Sequence, residues 1–284
     1  MPGLSGSLPW VVVLALLGSV SPCDDFKPAR SKSNERILDS DYAKPGEFPF
    51  LVSLGFGKYN HSCGGVILDE RYILTGAGCL GHRPREIKVR TGCHSLTRSS
   101  HNCKFTTVIA IYKVHEGYNG QTLENDIALI RTKESIPLND IEGHGAIRAI
   151  QFAEDNADDL YEVDKELLVI GYGAPSCGSL NSSDFPKAAR IMTDPLERCK
   201  RLSFYKDATI DGRNICAGKQ LHNRKLGAHQ WDWGGPLVEP GDEMKLVGIV
   251  GRTPKRCKEL GTSIYYRVAP YIRWIEEAKE SMAS

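Results

Sequence analysis

The sequence has no excess of either charge. Its 36 Lys and Arg stand against 35 Asp and Glu, a formal net charge of +1, so the balance gives no reason to expect nucleic acid or an anionic membrane surface as partner. No apolar run reaches the roughly 20 residues that a membrane-spanning helix needs. His-Glu-x-x-His and Cys-x-x-Cys are absent, so neither a metal nor any other cofactor is expected, and there is no Gly-x-Ser-x-Gly elbow to raise a serine nucleophile. Internal repeats and low-complexity tracts are also missing. With 41% hydrophobic and 25% charged residues, the composition excludes a disordered, coiled-coil or collagen-like chain.

What the chain does have is cysteine, nine in 284 residues. The first 21 residues carry no charged side chain, contain an apolar run at residues 10–17, and end in small residues. That reads as a secretory signal peptide and places the rest in an oxidising, extracellular compartment where cysteines pair. An odd count leaves at least one thiol free or bound to another chain. Residues 22–36 are polar, with Pro22 and Pro28 and no apolar periodicity, and read as a leader. The domain at residues 37–284 then holds 32 charges of each sign.

From Phe48 onward, short β-rich runs alternate with turn residues: residues 48–56, 64–69, 71–76, 87–92, 106–114, 126–132, 166–173, 246–251 and 263–268. Runs this frequent, with no helical stretch between them, argue for an all-β antiparallel sandwich or barrel pair. One domain of this length is common for such folds. Only the C-terminus differs, where Tyr271, Trp274, Ile275 and Ala278 fall on one face of an amphipathic helix.

Seven motifs then appear in order: Cys63-Gly64-Gly65-Val66-Ile67-Leu68; Ile73-Leu74-Thr75-Gly76-Ala77-Gly78-Cys79; Asn125-Asp126-Ile127-Ala128-Leu129-Ile130; Gly171-Tyr172-Gly173; Asn214-Ile215-Cys216-Ala217-Gly218; Asp232-Trp233-Gly234-Gly235-Pro236-Leu237-Val238; and Tyr265-Tyr266-Arg267-Val268. In these the chain resembles the trypsin and chymotrypsin-like serine proteases, from Arg36 to Ile275. The resemblance implies two six-stranded antiparallel β-barrels with a cleft between them, followed by a C-terminal helix. The wording of residues 67–75 and 115–130 looks most like arthropod members, including mite proteases.

That family's chemistry needs a serine nucleophile, a histidine base, an aspartate to orient the base, and backbone N–H groups to hold the oxyanion. The family's Thr-Ala-Ala-His-Cys reads here Thr75-Gly76-Ala77-Gly78-Cys79, which puts Gly78 where the base belongs. Its Gly-Asp-Ser-Gly-Gly-Pro reads Trp231-Asp232-Trp233-Gly234-Gly235-Pro236, which puts Trp233 in place of the nucleophile and Trp231 at the oxyanion glycine. Only Asp126 remains of the triad. Six residues before Trp233, the floor of the specificity pocket corresponds to Gly227, which carries no charge to select a substrate. Gly251-Arg252-Thr253 replaces the usual Ser-Trp-Gly of the substrate-pairing strand. Of the eight histidines, His82 and His229 fall nearest these loops, but a base without a nucleophile achieves nothing.

By the same resemblance Cys63 pairs with Cys79 and Cys199 with Cys216. Cys93 and Cys103 are spaced to close a small loop. Cys257 resembles a half-cystine whose partner position is His229, which leaves Cys257 unassigned together with Cys23 and Cys177. Arg36-Ile37 matches the activating cleavage site, and Asp232 is the acid with which the freed Ile amine would pair, although Leu38-Asp39-Ser40 replaces the usual Val-Gly-Gly. Asn60 and Asn181 head glycosylation sequons. The buried Asp126 carboxylate is expected to be satisfied by hydroxyl donors, backbone donors or water. Trp231 and Trp233 either fill the former cleft or present an aromatic anchor to a protein. The reading is a secreted pseudoprotease that acts by protein binding, as cofactor, decoy or modulator of a proteolytic or immune cascade, with an active protease, a protease inhibitor or a cascade substrate as partner. An active endopeptidase is the alternative if Gly78 and Trp233 are sequence errors, and a structural secreted glycoprotein is a third.

Overall fold

The computed structural model describes residues 42–57, 59–81, 86–97, 103, 105–138, 147–154, 162–175, 179–221, 224–253 and 262–283. The signal and leader segments, Arg36-Ile37, His82, Cys23, Cys177 and Cys257 lie outside the described residues.

The first barrel closes on itself through strands β1 (Leu51–Phe56), β2 (Cys63–Ile67), β3 (Tyr72–Thr75), β4 (Ile87–Thr91), β5 (Phe105–Val114) and β6 (Ala128–Thr132), in the order β1-β2-β3-β6-β5-β4. The second is built from β8 (Glu166–Gly171), β9 (Lys187–Asp194), β10 (Asn214–Leu221), β12 (Pro236–Glu239), β13 (Lys245–Val250) and β14 (Thr262–Arg267). Pairing of β9 with β10 closes that ring of six. The two-residue β7 (Gln151–Phe152) runs parallel to β13, and β11 (Arg224–Leu226) forms a hairpin with β10. This is the two-barrel architecture expected from the sequence.

Each barrel fills its own interior. Val52, Leu54, Ile73, Ile87, Val89 and Ile130 pack inside the first, and Leu167, Val169, Ile191, Val247 and Tyr265 inside the second. A third cluster joins the barrels: Leu51, Val66 and Leu129 from the first meet Ile170, Val238 and Ile249 from the second. The C-terminal helix α3 (Ile272–Ala283) adds Ile275, Ala278 and Met282 to this joint. Trp274, expected on the same face, is only partly buried and donates its indole N–H to Glu116 at 2.8 Å. Among the described residues no helix is long and apolar enough to cross a membrane.

The expectation of no helix between the strands needs correction. Ala77–Leu80 forms a single turn, α1, and Leu196–Lys200 a short helix, α2. Both are too short for a 3.6-residue repeat to show. The α1 turn is held by the Cys63–Cys79 disulfide to β2. Disulfides also join Cys93 to Cys103 and Cys199 to Cys216.

Candidate functional site

Asp126 lies just before β6, at the end of a turn whose Leu123 and Asn125 have φ of 59° and 50°. Asn tolerates such left-handed backbone better than most residues. The Asn125 side chain fixes the turn: its Nδ2 donates to the Gly117 carbonyl at 2.9 Å, and its Oδ1 accepts from Arg213 at 2.8 Å and from the Tyr271 hydroxyl at 3.0 Å. Asp126 is thereby held fully buried with its carboxylate aimed at α1. Its Oδ1 accepts the Gly78 backbone N–H at 2.8 Å, and its Oδ2 accepts the Trp233 indole N–H at 2.7 Å. Burial pushes its pKa from 3.8 up to about 6, against the opposing pull of the Gly78, Trp233 and Ala77 hydrogen bonds and the Arg252 charge.

The indole of Trp233 reaches from the second barrel into the first and packs against the first barrel's interior cluster. It fits because two positions on the facing wall carry no side chain. A Cβ on Gly78 would fall 1.8 Å from Trp233 Cζ2, and a Cβ on Gly76 would fall 2.8 Å from Trp233 Nε1. Glycine at 78 and 76 and tryptophan at 233 are therefore one packing solution. Of the donors expected for Asp126, the backbone N–H is present, and the second is an indole rather than a hydroxyl. The Trp233 indole is thus partly buried against the first barrel and also forms part of a cleft wall.

Trp231 keeps the left-handed backbone of a glycine, with φ of 77°, a conformation costly for a bulky residue. Its carbonyl accepts from His61 Nε2 at 2.8 Å, its side chain lines the cleft, and its indole N–H is buried without a partner among the described residues. Asp232 is buried, and Gly171 and Gly173 lie so close that a Cβ on either would fall 2.1 or 2.0 Å from its carboxylate. Its Oδ2 accepts the His229 N–H at 2.9 Å, while Oδ1 has no partner among the described residues. Burial pushes its pKa to about 7, opposed by hydrogen bonds from His229 and Gly173 and by the Lys187 charge. A cavity of about 10 Å³ opens beside it, lined by Gly227 and Lys187 among others, about the size of one water. Gly227 lines this small cavity and not the main cleft. His229 is buried, with Nδ1 accepting the Gln230 N–H at 2.8 Å and Nε2 without a partner among the described residues. Its pKa is lowered by burial.

The main cleft lies between the barrels and encloses about 640 Å³. Its walls include Gly78 and Tyr118 on one side, and Trp231, Trp233 and Arg252 on the other. Neither glycine nor indole can attack a carbonyl or take up a proton at neutral pH. Asp126, bonded to Gly78 and Trp233 of the cleft wall, already has a donor on each oxygen. Among the described residues no group of three or more His, Cys, Asp or Glu is placed to hold a metal ion.

One serine–histidine pair does exist that the sequence reading overlooked. Ser53 Oγ lies 2.9 Å from His61 Nδ1. Because His61 Nε2 faces the Trp231 carbonyl, Nε2 carries the proton and Nδ1 accepts from Ser53. That is the bonding of a nucleophile and its base, but Ser53 and His61 are 0% and 4% exposed and line neither wall of the cleft. Burial lowers the His61 pKa to about 4. The pair is a structural crosslink. Asn60 and Asn181 are both exposed.

Comparison with known proteins gives consistent results. A family profile described as Trypsin matches residues 37–275. The chain is 31% identical to Lectizyme of Glossina austeni over 87% of this chain and 88% of that one. It is 30% identical to Trypsin Blo t 3 of Blomia tropicalis over 94% and 97%. Coagulation factor XII of Sus scrofa is 29% identical over 90% of this chain, which spans 41% of that protein. Among solved structures, neuropsin, a serine protease expressed in the limbic system of mouse brain, superposes with a TM-score of 0.69 at 26% identity, covering 84% of this chain and 98% of the other.

Proposed function

The chain belongs to the trypsin family, and on that premise we propose that it is a secreted, non-catalytic member that works by binding another protein. One observation carries the reading. The Trp233 indole occupies the slot left by Gly76 and Gly78 and donates to Asp126, so the site has neither nucleophile nor base and its orienting acid is engaged. Trp231 adds to the loss, because its side chain crowds the place where a scissile carbonyl would meet the oxyanion donors. Removing triad members leaves at most about 10³ to 10⁴-fold over water from binding and the oxyanion hole, and here those supports are altered as well.

The first 21 residues direct secretion, residues 22–36 form a leader, and Arg36-Ile37 is its processing point. The partner is an active protease, a protease inhibitor or a substrate of a proteolytic cascade. The relatives from Glossina and Blomia support an arthropod source. The test is incubation of the secreted protein with a fluorophosphonate probe and a panel of peptide substrates. No labelling and no turnover are expected. Hydrolysis that disappears in Asp126→Ala would overturn the proposal.

A further inference from the structure

We propose that the cleft between the barrels binds an extended peptide segment bearing an acidic side chain, whose carboxylate is met by Arg252. The inference rests on the non-catalytic reading above and specifies what the vacated site selects. Arg252 is exposed on the cleft wall and forms no ion pair with any described carboxylate. Two contacts hold it in place. Its carbonyl accepts the Tyr205 hydroxyl at 3.0 Å, and its guanidinium lies 5.6 Å from the centre of the Phe204 ring. A cation fixed in this way loses less freedom when it meets a carboxylate.

Nothing among the described lining residues offsets that charge, because Arg252 is the one ionised side chain in a wall otherwise made of aromatic, small and neutral polar groups. Asp126, whose charge Arg252 feels, lies fully buried with both oxygens hydrogen-bonded, to the Gly78 N–H and the Trp233 indole. Gly227 brings no carboxylate that would hold a basic side chain. The cleft thus attracts a carboxylate and repels an ammonium group, while Tyr118 and Trp231 offer apolar surface to the remainder of the segment.

Fluorescence anisotropy on the full secreted chain tests this with three labelled hexapeptides, identical except for a central Glu, Gln or Lys. The Glu peptide is expected to bind about fivefold more tightly than the Gln peptide, in line with an exposed but charge-assisted contact, and the Lys peptide most weakly. The Glu advantage shrinks with added salt. Arg252→Gln abolishes the Glu preference, so that the Glu and Gln peptides bind equally, and Arg252→Glu inverts the order toward Lys. Equal binding of the three peptides, or a Glu preference that survives Arg252→Gln, overturns the inference. Absence of any peptide binding overturns it too, while leaving the non-catalytic reading intact. Cleavage of the peptides overturns that reading itself.

Discussion

The fit between Trp233 and its glycine slot sets the energetics at residue scale. Gly78→Ala places a methyl within the indole ring and should destabilise the fold by about 1–3 kcal/mol through overpacking. The same substitution in a Trp233→Ala background should cost far less, so a double-mutant cycle read by denaturant unfolding should show a strong coupling between the two positions. Additive effects would mean that the indole lies elsewhere. Asp126 gives a second prediction. Its folded pKa of about 6 exceeds the ordinary 3.8, so the folded state holds this proton more tightly than the unfolded chain. Its contribution is complete below about pH 4 and is lost as pH rises to about 6. His61, with its lowered pKa, drives stability the opposite way over much of that window, so the test is a difference. Melting temperatures of the native protein relative to Asp126→Asn should fall between pH 4 and 6 and stay level above. The sequence identified Gly78, Asp126 and Trp233 one at a time. It did not reveal that they form a single unit, or that Gly76 belongs to it, because nothing in a one-dimensional pattern says which way an indole points.

Among the elements, those with dense β-branched and aliphatic runs were legible, and sparser ones were not. Residues 126–132 and 246–251 hold β6 and β13. In β9, by contrast, Lys187, Ala189, Ile191 and Thr193 face inward while Ala188, Arg190 and Met192 are less buried. A buried lysine and alanine in place of valine and isoleucine erase the alternation on which strand recognition depends. The strand is defined by its partners β8 and β10 more than by its own composition. Helix α3 was readable because Tyr271, Trp274, Ile275 and Ala278 repeat at helical spacing, and the structure adds Met282 to the buried face. It is fastened at its far end by the Tyr72 hydroxyl donating to the Lys279 carbonyl at 3.0 Å and by Lys279 pairing with Asp69 at 3.1 Å. Since that pair is partly exposed, burial of Ile275 should dominate. Ile275→Ala is expected to cost about 2–5 kcal/mol, against well under about 1 kcal/mol for Lys279→Met, both measured by chemical denaturation.

For the whole molecule, the shared cluster between the barrels ties their stabilities together. Leu51, Val66, Ile170, Val238 and Ile275 come from both barrels and from α3, so melting either barrel exposes apolar surface of the other. Calorimetry on the disulfide-intact protein should record one transition, coincident with loss of the near-ultraviolet circular dichroism signal. Two resolved transitions would show that the barrels unfold independently. The slot that receives Trp233 adds a bond of another kind, since the side chain belongs to one barrel and the glycines to the other. A chain exchanging Gly78 for histidine and Trp233 for serine one at a time would cross a valley in stability. Histidine first collides with the indole, and serine first leaves Asp126 short of a donor beside an unfilled space. Each single exchange carries a cost that the joint exchange avoids, so the packing acts as a ratchet that holds glycine and tryptophan together.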